Sequence, residues 1–289
     1  MERNVDVAII GAGTAGLSAM SQVRQAKKDF VLINGGELGT TCARVGCMPS
    51  KALIQVAHDL HRREIFEREG IEGGADLTVN LPDALEHVRD LRDILVDRVL
   101  ANSTDQMDET FIDGYARFVD PGVLQVGQEI IHAKSIVIAS GTRPLVPDEW
   151  VDFGEHIITS DTLFEIEDLP KSIAVVGLGI IGLEIGQALS HLGVTVTGVD
   201  QLETIAGLND PSASQSAIEL MTRTFPVWLG HQAKLASEGS QIRVSAGEHS
   251  VVVDKVLAAM GRRSNVDWLS IINLKFITYQ INFIKLNYP

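Results

Sequence analysis

Asp6-Val7-Ala8-Ile9-Ile10-Gly11-Ala12-Gly13-Thr14-Ala15-Gly16 is the stretch on which the fold turns: a short apolar run followed by three glycines in the spacing G-x-G-x-x-G. An apolar run of that length, stopped by glycine, reads as a buried strand, and the residues from Leu17 to Lys27 continue as a helix. In such a turn Gly11 makes the tight bend, Gly13 admits a pyrophosphate, and Gly16 lets helix and strand pack closely. The free N–H groups and the dipole of the helix N-terminus then favour an anion. Phe30-Val31-Leu32-Ile33 is the next buried strand, which completes the opening unit of a doubly wound α/β domain. That strand normally closes on an acidic residue that holds ribose hydroxyls. Here Asn34 stands in its place, and an amide bonds a hydroxyl without charge assistance, so weaker dinucleotide binding is expected at this first site.

The pattern repeats 166 residues later, a spacing that fits two nucleotide-binding domains rather than a short-period solenoid. Lys171 to Val176 forms a strand, Gly177-Leu178-Gly179-Ile180-Ile181-Gly182 the turn, a helix runs to His191, and Val194 to Val199 forms the following strand. Asp200 closes it, 23 residues after Gly177, where ribose recognition is expected. No arginine follows until Arg223, so the site favours NAD(H) over a 2'-phosphorylated nucleotide. Between the two repeats, Asn80 to Ala101 reads as a long helix with Leu81, Leu85, Val88, Leu91, Leu95 and Val99 on one face, Asn80 as its cap and Pro82 in its first turn. Ser135 to Ala139 and Val251 to Met260 read as further buried strands, the first ending in Ser140-Gly141-Thr142-Arg143 and the second in Gly261-Arg262-Arg263. The expected division is residues 1–145, 146–265 and a distinct tail, 266–289.

Composition narrows the classes of partner. The 289 residues carry 38 acidic and 24 basic side chains, a net charge of −14, which opposes general binding to nucleic acid or anionic lipid. No apolar run reaches membrane-spanning length, no signal-peptide core follows Met1, and two cysteines make no disulfide framework; a cytoplasmic protein acting on small molecules is expected. No cluster with metal-ligand spacing stands out.

Both cysteines lie in Gly39-Thr40-Thr41-Cys42-Ala43-Arg44-Val45-Gly46-Cys47-Met48-Pro49-Ser50-Lys51. Residues five apart on a regular helix have Cα atoms roughly 8.7 Å apart, beyond the ~7 Å reach of a disulfide. A bond would need Cys42 off the helix, with Gly39 and Gly46 supplying the freedom, while Pro49 fits a helix that starts near Cys47 and whose N-terminus favours a thiolate. On spacing alone, two unrelated buried thiols fit as well as a redox pair.

The segment Thr-Cys-Ala-Arg-Val-Gly-Cys-Met-Pro-Ser-Lys between two glycine fingerprints resembles the redox-active disulfide of the flavin-dependent pyridine nucleotide-disulfide oxidoreductases, most nearly their dihydrolipoyl dehydrogenase branch. The resemblance implies that Gly11, Gly13, Gly16 and Asn34 hold the ADP half of FAD. It implies that Cys42 is the thiol that meets substrate, Cys47 the thiolate against the flavin, and Lys51 a neighbour of the isoalloxazine, with Thr41 among the cofactor contacts. Gly114-Tyr115-Ala116 resembles the family's adenine contact, and Ser140-Gly141 its domain junction. For NAD it implies Gly177, Gly179, Gly182 and Asp200, with Glu184 facing the nicotinamide and Gly261-Arg262 at the domain's close. Ile180 stands where glutathione reductases carry a tyrosine, which favours the lipoamide branch; mercuric reductases share most of these features and are the runner-up.

The implied chemistry passes electrons from a small or lipoyl-bound dithiol through Cys42–Cys47 and FAD to NAD. By motif the resemblance extends from residue 5 to about 268. The family's returning FAD segment, dimer-forming interface domain and histidine–glutamate base are not recognised, so the FAD domain reads as interrupted and incomplete. Ser270 to Pro289 has no acidic residue, five isoleucines and three asparagines, which reads as an out-of-frame or chance extension, the alternative being a natural apolar strand. On this reading lipoamide turnover by the chain alone is not expected, and a product that retains only NAD(H) binding is the alternative.

Overall fold

The computed structural model describes residues 2–271, which pack as two compact units: residues 2–42, 95–143 and 264–271 in the first, and 43–94 and 144–263 in the second. From the N-terminus, β1 (Glu2–Ile10), α1 (Thr14–Gln25) and β2 (Phe30–Asn34) form the expected strand, turn, helix and strand. Three helices follow: α2 (Thr41–Arg44), α3 (Cys47–His61) and α4 (Leu81–Ala101). The chain then runs through β3 (Phe111–Asp113), β4 (Ala116–Asp120), β5 (Val123–Val126), β6 (Glu129–Ile138) and the short β7 (Thr142–Pro144). The second repeat comprises β8 (Ile157–Thr159), β9 (Ser172–Val176), α5 (Ile180–His191), β10 (Thr195–Val199), α6 (Pro211–Thr222) and β11 (Val227–Trp228). After it come β12 (Lys234–Glu238), β13 (Gln241–Ala246), β14 (His249–Val253), β15 (Lys255–Ala258) and β16 (Arg262–Ser264).

The first unit is built on a six-stranded sheet in the order β3-β2-β1-β6-β5-β4. Its first four strands are parallel, and β6, β5 and β4 form an antiparallel meander. Ile10, the last residue of β1, pairs with Ile33 on one side and Ile138 on the other. The strand order therefore changes direction at the carboxyl end of β1, the place where open α/β sheets bind ligands. Side chains alternate across the sheet: Ala8, Ile10, Val31 and Ile33 pack on one face with Leu124 and Ile131, while Ile9 and Leu32 pack on the other with Met20 and Met107. Burial on both faces explains why β2 reads as an unbroken apolar run.

The second unit repeats the scheme with a five-stranded parallel sheet, β11-β10-β9-β15-β8, in which Val176 pairs with Val199 and Ala258. One face buries Ile173 and Val175 under Ile185 and Leu189 of α5, Leu53 and Ala57 of α3, and Leu85 and Val88 of α4. The other face is covered by the antiparallel sheet β12-β13-β14, through Ile242, Val244 and Val253.

Two expectations are corrected in detail. Leu91 is exposed rather than part of a continuous buried stripe on α4, as is Ile94. Beyond Val88 it is Arg89 that anchors α4 within the second unit, donating to the carbonyls of Phe164 (3.4 Å) and Ile166 (3.1 Å). The apolar run from Val251 to Met260 is two strands, because Asp254 between them accepts hydrogen bonds from the amide and hydroxyl of Ser172 and from Gln241. Of the tail set apart by its composition, residues 272–289 lie outside the described residues. Up to Ile271 the chain belongs to the first unit's core, where Leu269 is fully buried beside Val266 and Ile271.

A Cβ on Gly16 would overlap the carbonyl oxygen of Gly11, whereas one on Gly13 meets nothing within 4 Å. Gly16→Ala is therefore expected to cost about 1–3 kcal/mol in denaturant unfolding of the full chain, and Gly13→Ala no more than about 1 kcal/mol, the cost of a poorer helix cap.

Candidate functional site

The two glycine turns are near copies of each other. Gly11 (φ +108°) and Gly177 (φ +96°) occupy a backbone region that side chains disfavour, and a Cβ on either would strike the carbonyl of Ala139 or Ala259 respectively. Gly11 N donates to Ile33 O (2.7 Å) and Gly177 N to Val199 O (2.8 Å). Gly16 and Gly182 press against the carbonyls of Gly11 and Gly177. Gly13 and Gly179 cap α1 and α5 with extended ψ near −175°, carry no side-chain cap, and face open space. Neither helix has an acidic residue in its first turn. By contrast, α6 is closed by Asp210, which accepts from Ala213 N (2.8 Å). A helix start left without a side-chain acceptor, with a bare glycine in front of it, is a cradle for an anionic group, and the residues present fit a dinucleotide pyrophosphate at both turns.

The residues that close the second strand of each repeat pin these turns. Asp200 accepts from Leu178 N (2.6 Å) and Leu202 N (2.9 Å). Asn34 accepts from Ala12 N (3.0 Å), the equivalent position, and its amide donates to Gly36 O (2.6 Å). A carboxylate at position 34 could not make that last bond and would set an oxygen against the Gly36 carbonyl. The local turn therefore calls for an amide, a requirement that strand-and-spacing reasoning does not detect.

The cysteine segment is broken as expected. Thr41 opens α2 and Cys42 follows it, half-buried; Val45 and Gly46 interrupt the helix, and α3 begins at Cys47, which is exposed. Ser50 ties the new helix back, its hydroxyl donating to Gly46 O (2.7 Å). Lys51, one turn into α3, donates to Glu184 Oε2 of α5 at 2.6 Å. Both side chains are about half exposed (55% and 41%), and a pair so solvated contributes at most about 1 kcal/mol, so its consequence is to orient the two groups. Ile180 (65% exposed) and Ile181 open α5 beside Gly179, an apolar surface at the start of the helix that carries Glu184.

The remaining expected residues are backbone and junction positions. Ala116 is buried at the start of β4. The carbonyls of Ser140 and Gly141 accept from the side chain (3.1 Å) and backbone (3.0 Å) of Asn265. The Gly261 carbonyl accepts from Leu145 N (2.9 Å). Arg262 makes a two-pronged pair with Asp161 (2.8 and 3.2 Å) and reaches Ser160, so this guanidinium is tied to the protein's own acid. Asp161 and Asn265 were not legible in advance, since each acts through a partner about 100 or more residues away. Arg143 also donates to Asn265, pairs with Asp267 and lies over the Trp268 ring, whose edge contact with Tyr115 is 5.7 Å. Among the described residues no three histidine, cysteine or acidic side chains are placed to hold a metal ion, and no helix is long and apolar enough to cross a membrane.

Comparison with known proteins is consistent with this geometry. A mercuric reductase of Lysinibacillus sphaericus is 29% identical over 93% of this chain and 50% of its own length. The dihydrolipoyl dehydrogenase of Thermus scotoductus is 28% identical over 99% of this chain and 63% of its own, and that of Bacillus subtilis 29% over 96% and 63%. Among solved structures, the Cu(II) complex of the HOCl-induced flavoprotein disulfide reductase RclA from Escherichia coli superposes with a TM-score of 0.79 at 21% identity, over 94% of this chain and 59% of that one, a likeness of fold. The chain thus spans about half to three-fifths of the length of these relatives. The model of the family whose cofactors are FAD and NAD(H) matches residues 5–287, which carries the likeness past Trp268, where recognisable motifs end. The chain belongs to the pyridine nucleotide-disulphide oxidoreductase family.

Proposed function

We propose that this chain works as a flavin-dependent dithiol–disulfide oxidoreductase of the dihydrolipoyl dehydrogenase type, with FAD on the turn Gly11–Gly16 and NAD(H) on the turn Gly177–Gly182. The observation that carries the reading is the duplicated open cradle at Gly13 and Gly179, in one chain with a helix that begins at a cysteine and places Lys51 against Glu184. In this reading a substrate thiolate attacks Cys42 Sγ of a Cys42–Cys47 disulfide, the bond between the two sulfurs breaks, and Cys47 leaves as thiolate. The second substrate thiol then displaces Cys42, so the substrate leaves as a disulfide and the chain holds two electrons as a dithiol. FAD, when bound, supplies the two-electron link between that dithiol and NAD+. The balance is a dithiol and NAD+ converted to a disulfide, NADH and a proton. Cys47 stands at the start of α3, and one turn further on Lys51 and Glu184 orient one another.

A second reading, reduction of a metal ion such as Hg(II), is favoured by the mercuric reductase relative, as similar in sequence as the dehydrogenases. The two are separated by following NADH oxidation by the FAD-loaded full chain with lipoamide or with Hg(II) as the acceptor.

The visible spectrum of the purified chain with FAD, before and after anaerobic NADH, is the primary test. A flavin band that bleaches or gains a long-wavelength shoulder, with two new titratable thiols that are lost in Cys42→Ser, is the expected result. A colourless protein that takes up no FAD would overturn the reading and leave at most nucleotide binding. Asp200→Asn removes charge assistance at the second turn and is expected to raise the Kd for NADH about five- to tenfold by fluorescence titration, a change near 1 kcal/mol.

A further inference from the structure

The two helices joined by Lys51 and Glu184 are joined again at their other ends. Further along both, beyond the apolar contacts of Leu53 and Ala57 with Ile185, Ala188 and Leu189, His61 closes α3 and His191 closes α5. Their rings stack with centroids 3.8 Å apart and planes within 3° of parallel, and His58 of α3 lies 6.2 Å from His191. The two helices therefore run in the same direction, with a lysine–glutamate pair at the leading end and a histidine stack at the trailing end.

The stack suits neutral rings. The Nδ1 of His191 is buried and has no hydrogen-bond partner, so protonation there would leave a charged donor with no acceptor. Two imidazolium rings at this separation repel, and His58 adds a third titratable ring. Among the described residues the acid that faces the cluster is Glu64, in the turn after α3, which pairs with His61 Nδ1 at 3.2 Å. The strands under α5, β9 and β10, carry no titratable side chain. The helix C-termini favour cations, which works against these effects, yet burial, reinforced by His61 and His58 and opposed by Glu64, holds the His191 imidazole below its ordinary pKa.

We propose that the His61–His191 stack is a proton-operated latch on the α3–α5 pair, closed while the buried His191 ring is neutral and released when that ring takes up a proton. Release frees the trailing end of α3, the helix whose first residue is Cys47, while the Lys51–Glu184 pair still holds the leading end. The sign follows from linkage. As pH falls, the unfolded chain takes up the proton first, so the latch contributes fully above about pH 6.5 and is lost as pH drops through the folded value.

The test compares the melting temperature of the full chain at pH 7.5 and pH 5.5 with that of His191→Leu. Groups elsewhere titrate equally in both, so only the difference between the two pH effects is read. Wild type is expected to lose about 2–4 °C more on acidification than the variant. Amide exchange in the last two turns of α3, corrected for the intrinsic effect of pH, is expected to quicken in wild type alone. If His191→Leu does not fold, His61→Asn removes the facing ring and serves in its place. Equal pH dependence in wild type and variant, or exchange in α3 that ignores pH, would overturn the latch. Neither readout requires bound FAD, NAD or any turnover, so failure here is distinct from failure of the proposed function.

Discussion

The approach of Gly16 to the carbonyl of Gly11, and of Gly182 to that of Gly177, sets where both helix starts lie in this structure. With no side chain in the way, the first turn of α1 lies against the end of β1, and that of α5 against the end of β9. The helix starts are thereby held at the carboxyl ends of the central strands, with their free N–H groups turned toward the crevice at each change of strand direction. Two further conditions hold the turn in place: a positive φ at the first glycine, and a side chain from the neighbouring strand that accepts the N–H just after it. If any of these is lost, the cradle at Gly13 or Gly179 loses its geometry even though the sheet survives.

The two repeats meet this constraint with different chemistry. Asp200 uses a charge and two backbone donors. Asn34 uses an amide that gives and receives one bond each, so the first turn is held without a charge. The same geometry is thus reached with unequal electrostatics. The layer beneath differs as well: helices cover one face of the second sheet, and a three-stranded antiparallel sheet covers the other.

Packing of α3 against α5 links the cysteine segment to the second glycine turn. Cys47 begins one helix and Gly179 caps the other, and the two lie side by side through a shared apolar seam with polar contacts at either end. Because an exposed lysine–glutamate pair is worth little by itself, the seam of Leu53, Ala57, Ile185 and Leu189 carries the energy, and the polar ends set the alignment. A thiol at the start of one helix is in this way tied to the glycine turn at the start of the other.

Local signals were enough for both strand–turn–helix units, the break between Cys42 and Cys47, the start of α3 and the roles of the first and third glycines in each turn. Each of these is decided within about twenty residues, by burial periodicity, by the absence of a Cβ or by a proline near a helix start. Contacts over longer range were not legible. The seating of α3 on α5, the exposure of Leu91, the division of the 251–260 run at Asp254, the pairing of Arg262 with Asp161 and the return of Leu269 to the first unit's core depend on partners far along the chain. Periodicity states which side chains must leave water but not which surface receives them, and an isolated charge or histidine gives no sign of the partner it will meet. For this protein the sequence alone determined the two glycine turns and the break in the cysteine segment, because backbone sterics and short-range hydrogen bonds specify them. Only the tertiary structure decided how α3 joins the second cradle and which polar groups clamp it, because those contacts exist once distant segments share one core.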